Sequence, residues 1–492
     1  MQSLFRLFQT RAATRTLAVA SVMALSTIFS QVGQAQSTSA AQRAVDEAKK
    51  YSGTTLTIEW QAGLQSLDPL NFSGPEWEKL TGIKIKVVEV PLAEVFTKIM
   101  LDYRSGASGF DVVDVVPSWM PDLAQAGALE PLDSFVDKYG YRDEIKKIAP
   151  TFRDNWMSAG GKTYALPDDG DVLILYYRKD LFSDPDIRRA FNARHGYDLA
   201  PPKTWKQFSE IASFLTGTLK DKHIYGASSV RDPAFAQYLF QERFRNEGGR
   251  FFNLATMKAT INDAIGSSVM AAMRDENRFM PPGVENFKFA ENLAVFLNGE
   301  SAMTISWPPV GRWAAGYAAD EKALAFVPKS KIAGRVGYAL PPGGHPELAI
   351  GHALSVASTS KNKEVAYLFI QWLNSEDVSI KRVQLPYTLR DPFRTSHYSN
   401  SDYQSKWPDA KEYLSTLKKA SERGLFDLSL IQTDKYEEVL RQGFSRLWAG
   451  EDAKSILDDL AKQWDEITQR VGVEKQRAVY SEWAAKPGAY PK

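Results

Sequence analysis

Hydrophobic and polar positions switch period several times in the first part of the chain. From Thr54 to Trp60 (TTLTIEW), Leu56, Ile58 and Trp60 recur at every second position, the period of a strand. PEWEKLTG follows, with Pro75 and Gly82 where helices start and stop, and Ile83 to Val90 predicts a second strand. Leu92, Val95, Phe96, Ile99, Met100 and Tyr103 then share one helical face that Gly106 and Gly109 close. FDVVDVV, Phe110 to Val116, predicts a third strand. Strand, helix, strand, helix, strand is the order of a parallel α/β sheet, whose ligands sit beyond the carboxyl ends of its strands. Pro117, Ser118 and Trp119 occupy that place.

The stretch GKTYALPDDGDVLILYYRKDLF, Gly161 to Phe182, changes the picture. A short hairpin-like segment ends at Pro167, three carboxylates (Asp168, Asp169, Asp171) follow, and Val172 to Tyr177 is an unbroken apolar run that predicts a strand buried on both faces. Three like charges this close need solvent, counter-charges or a polar ligand. Further on, Thr204 and Gln207 predict a capping box for a helix with Trp205, Phe208, Ile211, Ala212 and Leu215 on one face. Residues 225 to 300 read as mostly helical, and SAMTIS (Ser301 to Ser306) predicts a strand that ends in Trp307-Pro308-Pro309. Pro341 to Gly344 is the clearest break. After it come a strand from Ala353 to Ala357 and a helix from Lys361 with Val365, Leu368, Phe369, Trp372 and Leu373 inward. Gln384 to Arg394 reads as a polar passage, and Ala453, Ile456, Leu457, Leu460, Trp464 and Ile467 mark a late helix.

With 492 residues, a length prior of about three domains applies. Lys plus Arg (60) nearly equals Asp plus Glu (59), which excludes the concentrated basic face of a nucleic-acid binder. Arg6, Arg11 and Arg15 precede an apolar stretch from Leu17 to Phe29 and the small residues before Ala35, predicting a signal peptide over residues 1–35. Its removal takes the formal charge from +1 to −2. Without cysteine there is neither a disulfide framework nor a lipid-anchoring thiol, so a periplasmic location is expected. Export in the unfolded state makes a tightly bound cofactor unexpected, and none is assigned.

Several separated segments together resemble the extracellular solute-binding proteins of ABC importers, in the maltose-binding-like group. They are EKLTGIKIKVVEVP, FDVVDVVPSWMPDLAQAGALEPLD, GKTYALPDDGDVLILYYRKDLF, PPKTWKQFSEIASFL, FLNGESAMTISWPP, GHALSVASTSKNKEVAYLFIQWL and LWAGEDAKSILDDLAKQWDEI, in the family's order. The resemblance implies a two-lobed α/β periplasmic-binding-protein fold, each lobe a mostly parallel sheet flanked by helices, with ligand in a cleft at a hinge the chain crosses several times. The implied N-terminal lobe comprises residues 36–169 and 350–380. The implied C-terminal lobe comprises residues 170–349 and 381–492, with a helical extension at its end. Crossings are expected near Asp169 to Val172, near Leu348 to Ala353 and within Val378 to Tyr387.

The same resemblance implies a carbohydrate ligand (a mono- or oligosaccharide or polyol), ABC permease subunits as partners and a monomer. It places Asp171, Asp169, Ser118, Trp119, Trp307 and the glycine Gly351 at the cleft, with His352 where many sugar binders carry Trp. Tyr387, Arg390, Gln61, Gln65 and Asp68 are further candidates, and Asp168 is expected to be the solvated member of its cluster. A carboxylate accepts two hydroxyl hydrogen bonds at once, which suits a polyol. A polyamine fits the acids as an alternative ligand. A secreted glycosidase is set aside on the expectation that Asp169 and Asp171 diverge and cannot flank one bond. No nucleophile-elbow Ser, HExxH or metal-ligand spacing among His195, His223, His345, His352 and His397 supports an enzyme.

Overall fold

Alternation at β1 (Thr55–Gln61) buries Leu56, Ile58 and Trp60 completely and sets the register of the first sheet. The structure, a computed structural model, describes residues 38–219 and 222–492; the expected signal peptide and its cleavage point lie outside the described residues. β1 pairs in parallel with β2 (Lys84–Val90) and β3 (Val112–Val115). A small hairpin, β4 (Ser158–Ala159) and β5 (Lys162–Thr163), turns at Gly160 and Gly161, both with positive φ, and leads into β6 (Ala165–Asp169). β7 (Ile174–Arg178) follows, then a hairpin of β8 (Gly217–Leu219) and β9 (Lys222–Ile224), then β10 (Met303–Ser306), β11 (Val336–Ala339) and β12 (His352–Val356).

Besides the two hairpins, the strands make two sheets. The first has the order β2-β1-β3-β12-β6, and the late strand β12 runs antiparallel to both β3 and β6. The second has the order β10-β7-β11, antiparallel throughout, so the expected mostly parallel sheet is confined to the β2-β1-β3 side of the first lobe. The reason is topological. β7 enters from β6 through only four residues and is flanked by strands that return from long helical excursions in the opposite sense. Parallel pairing reappears beside β10 as isolated bridges, Tyr225 to Ser301 and Ser228 to Thr304. This is the two-lobed periplasmic-binding-protein fold, one sheet to each lobe.

Helices cover the sheets where the 3.6-residue stripes lie. Leu92–Ser105 buries Val95, Ile99 and Met100 and ends at Gly106 with φ 65°. Lys363–Asn374 buries Phe369 and Trp372 against Trp77, with ring centroids 5.4 and 5.3 Å apart. The polar lead after residue 36 contains a helix, Ala40–Ala48, whose Ala40, Ala41, Ala44, Val45 and Ala48 are buried. Alanine gives a weak hydropathy signal and a strong helix propensity, which is how a seemingly polar lead packs. Thr204 caps the next predicted helix by accepting from Gln207 N, but Gln207 Oε1 accepts from Lys203 N rather than completing a box with Thr204.

The C-terminal extension is part of the core. Helix Val473–Ala485 buries Tyr480 and Trp483, and Trp483 meets Phe251, Phe426 and Tyr490. Arg245, fully buried, donates to the carbonyls of Phe426 (2.9 Å) and Ala489 (2.8 Å), tying the chain end to the helix Pro233–Asn246.

Candidate functional site

A cavity of about 240 Å³ opens where the carboxyl end of β1, the loop before β12 and the loop after β10 converge. Its polar lining is Gln61, Gln65, Asp171 and His352, and its aromatic lining is Trp307, Phe235 and Phe289. Local structure explains each placement. Gln61 ends β1, and its N–H is held by Asp114 Oδ2 (3.2 Å), while a 3₁₀ turn over Gly63–Ser66 turns Gln65 back toward the strands. Trp307 directly follows β10. Its indole Nε1 donates to Ala349 O (2.5 Å), and its ring lies edge-on to Phe235 (5.7 Å) and Phe289 (6.1 Å).

His352, at the head of β12, pairs through Nδ1 with Asp114 Oδ1 at 3.0 Å. Burial works against its charge, but Asp114 and then Asp169 outweigh it and hold the imidazole above its ordinary pKa. Behind Asp114 stands Glu59, whose carboxyl burial and the Asp114 charge push well above the usual range; its Oε2 accepts from Asp114 N (3.3 Å).

Asp169 and Asp171 do not diverge. Residues two apart in extended chain share a face, so the expectation used to set a glycosidase aside misread strand geometry. Together with Asp391 they bring carboxylate oxygens within 4.8 Å of one another, all three buried. Burial and the charges of Asp169 and Asp391 push Asp171 well above the carboxylate range, and burial, partly countered by Arg312, does the same to Asp391. Asp169 stands behind the cavity wall, accepting from Gln65 Nε2 (3.0 Å) and Asp391 N (2.8 Å). Of the acids, Asp171 alone lines the cavity, with Gly351 N donating to its Oδ2 at 3.4 Å.

Asp168 is a correction. It is buried, and Arg382 NH1 approaches its Oδ1 at 2.7 Å while Arg390 Nε lies 2.7 Å from its Oδ2. Burial alone would raise its pKa; the two guanidiniums reverse the sign and lower it. Asp68 and Arg390 belong to the same layer. Arg382 grips Asp68 Oδ2 through Nε (3.0 Å) and NH2 (2.6 Å), and Arg390 donates to Gln65 O (2.9 Å) while stacking on Trp60 at 5.1 Å. The passage Gln384 to Arg394 is therefore polar in composition and largely buried in space, because its arginines each meet carboxylates or carbonyls.

The other candidates lie apart. Ser118 and Trp119 follow β3 but do not line this cavity: Ser118 O accepts from Ser429 Oγ (2.8 Å), and Trp119 packs edge-on to Phe96. Tyr387 is half-buried beside the cavity-lining Leu389, and Gly351, with φ 63°, is backed by Trp156. Sequence reasoning missed Phe235, Phe289, Asp114 and Arg382. The signal for Arg382 was available, since KRVQLPYTLRDPFR places three further arginine or lysine partners near an acid-rich stretch otherwise without counter-charge.

Glu437, on helix Thr433–Trp448, lies against Ser118 and Trp119, and burial pushes its carboxyl up to about 7, with Arg441 pulling it back. A raised folded pKa means that the native state keeps a proton the unfolded chain has released. Stability should therefore fall as pH rises from about 4.5 to about 7. Glu437→Gln should flatten that segment of the stability profile and be the more stable form at pH 8, by on the order of 3 kcal/mol. Parallel profiles for the two proteins in urea would show that Glu437 titrates normally.

The profile of the bacterial extracellular solute-binding proteins matches residues 34–379. A probable ABC transporter-binding protein of Deinococcus radiodurans is 28% identical over 373 residues, 72% of this chain and 80% of the relative. The mannitol-binding protein of Pseudomonas aeruginosa is 27% identical over 302 residues, 57% of this chain and 59% of that protein. Among solved structures, an ABC transporter solute-binding protein of Agrobacterium radiobacter in complex with ribitol superposes with a TM-score of 0.69 at 21% identity, covering 85% of this chain and 99% of the other.

Proposed function

This chain belongs to the bacterial extracellular solute-binding protein family, and on that premise we propose that it captures a carbohydrate, a polyol or monosaccharide before a long oligosaccharide, in the cavity between its lobes. The observation that carries the reading is the cavity's mixed lining: Asp171, His352, Gln61 and Gln65 together with Trp307, Phe235 and Phe289. Hydroxyls need groups that both donate and accept, and a carboxyl held above its normal pKa does both. The apolar face of a sugar or the carbon edge of a polyol rests on aromatic rings. A volume of about 240 Å³ is small for a ligand site, which favours a single small solute. The mannitol- and ribitol-binding relatives support this class.

The remaining role follows from the family. The protein works after export into the periplasm, its leader removed after Ala35, and hands its ligand as a monomer to the permease of an ABC importer, with no covalent chemistry. The lobes are residues 36–169 with the stretch from 350 to the third crossing, and 170–349 with the chain beyond that crossing. The third crossing spreads over Val383 to Arg394, since Arg312 of the second lobe holds the carbonyls of Val383 and Thr388 while Arg394 pairs with Glu144 and Tyr141 of the first. Asp169, Asp68 and Arg390 act by fixing the wall, and Asp171 by touching the ligand. A glycosidase is disfavoured because Asp169 is sealed behind Gln65 and cannot approach a glycosidic oxygen.

A cationic solute such as a polyamine is the second reading, favoured by the three converging carboxylates. Thermal shift with ribitol, D-mannitol, D-glucose, maltose and spermidine separates the two. At a ligand concentration of about 100 Kd, binding should add about 2.7 kcal/mol and raise Tm. Asp171→Asn should remove the rise without lowering the unliganded Tm. A rise with spermidine alone would replace the carbohydrate reading with the polyamine one.

A further inference from the structure

A larger cavity, of about 310 Å³, shares no lining residue with the inner one. One side comes from the first lobe: the turn and helix after β3, Asn155 and Trp156, and the β4–β5 hairpin with Tyr164. The other side comes from Phe426, Asp427 and Ser429 and from the C-terminal helix through Glu482 and Trp483, all beyond the stretch that matches the family.

We propose that this outer cavity is a second saccharide site, built by the C-terminal extension and separate from the inner cavity. Four aromatic rings, Trp156, Tyr164, Phe426 and Trp483, form its apolar surfaces, and each is less than a tenth exposed. Hydrophobic contact alone would suit many ligands, but the polar groups narrow the choice. Asn155 lines the cavity, and its Nδ2 gives one hydrogen to Thr151 O (2.7 Å), which leaves the second N–H for a ligand oxygen. Lys162, Lys486 and Glu482 carry the charge on the lining, whereas burial and the neighbouring Glu347 push the Asp427 carboxyl well above the carboxylate range, so that it donates as well as accepts. Aromatic rings beside groups that both donate and accept describe a site for a ring bearing hydroxyls.

The walls also explain why the site needs the extension. Trp483 is fixed by its Nε1 bond to Asp427 O (2.9 Å) and by stacking on Tyr480, so one face of the cavity exists only while helix Val473–Ala485 is docked. Because the cavity takes residues from both lobes, a bound ring favours the state in which the two sides face each other.

The test is calorimetric titration of the full-length protein with D-glucose, D-galactose, D-xylose, maltose and cellobiose. It uses wild type, Asp171→Asn, Asn155→Leu and Ala124→Trp. Asn155→Leu removes the second N–H at nearly equal volume, and Ala124→Trp fills the cavity from a half-buried helical position. At least one saccharide should bind with an isotherm that survives Asp171→Asn, weakens about tenfold in Asn155→Leu and is lost in Ala124→Trp. If every isotherm that appears is insensitive to both outer-cavity variants, or if no saccharide binds Asp171→Asn, the second site is overturned. If that isotherm is found but no other binding component of the wild type is lost in Asp171→Asn, this proposal stands and the ligand reading of the inner cavity falls. If Asn155→Leu folds poorly by circular dichroism, Ala124→Trp alone decides.

Discussion

Replacing Arg382 by Met is expected to cost about 3–5 kcal/mol of stability, because it strands the buried Asp68 carboxylate and leaves Asp168 with one guanidinium in place of two. Arg382 is 1% exposed along its side chain and is the shared partner of Asp68, at 0%, and Asp168, at 2%. Arg390 is not positioned to replace it: its Nε reaches Asp168 but stays 4.0 Å from Asp68. The two acids come from distant segments of the chain, Asp68 after β1 and Asp168 within β6, and Arg382, at the end of the helix Glu376–Arg382, joins them. In urea the midpoint should fall with little change in slope. A triple variant, Arg382→Met with Asp68→Asn and Asp168→Asn, should regain much of the loss, since neutral amides leave no buried charge unpaired. A drop of less than 1 kcal/mol in the single variant would show that Asp68 and Asp168 are not relying on it.

That layer also marks the limit of what the chain disclosed as text. Strands β1, β2, β3, β10 and β12 and their covering helices were legible within a few residues, because local periodicity and the capping glycines record them directly. The pairing of Trp307 with the acid-rich stretch was legible through the resemblance. Which acids line the cavity was legible only in part, Asp171 but not the place of Asp169 and Asp168. Asp168, Asp169 and Asp171 are near neighbours in sequence, and only Asp171 reaches the cavity, because their fates are set by arginines more than 200 residues away. Likewise Phe235 and Phe289 sit in helical stretches where an aromatic reads as core, and only the tertiary fold turns them toward Trp307. Ser118 and Trp119 lie after β3 as expected, yet the segment 426–437 packs over them and directs Ser118 to the outer cavity. The antiparallel second sheet was hidden for the same reason: strand direction is a property of the connections, and long helical connections allow either sense.

Gly351→Ala should cost about 2–5 kcal/mol, and its consequences differ in kind from those at Arg382. Gly351 has φ 63°, where an alanine is disfavoured by about 1–2 kcal/mol, and an added Cβ would stand 2.2 Å from the Trp156 ring. Overpacking of this sort adds about 1–3 kcal/mol, and neither neighbour yields easily, since Trp156 is 3% exposed and packed on Phe152 at 4.6 Å. The residue stands between the two cavities. Its N–H faces Asp171 in the inner one, and Trp156 behind it forms a wall of the outer one. Displacing Trp156 should therefore weaken saccharide binding at the outer cavity as well as lower Tm. A double variant, Gly351→Ala with Trp156→Leu, separates the two costs: it removes the clash and leaves the backbone penalty, so the pair should be less destabilised than the sum of the single changes. Strict additivity would place the strain in the backbone alone and leave Trp156 uninvolved.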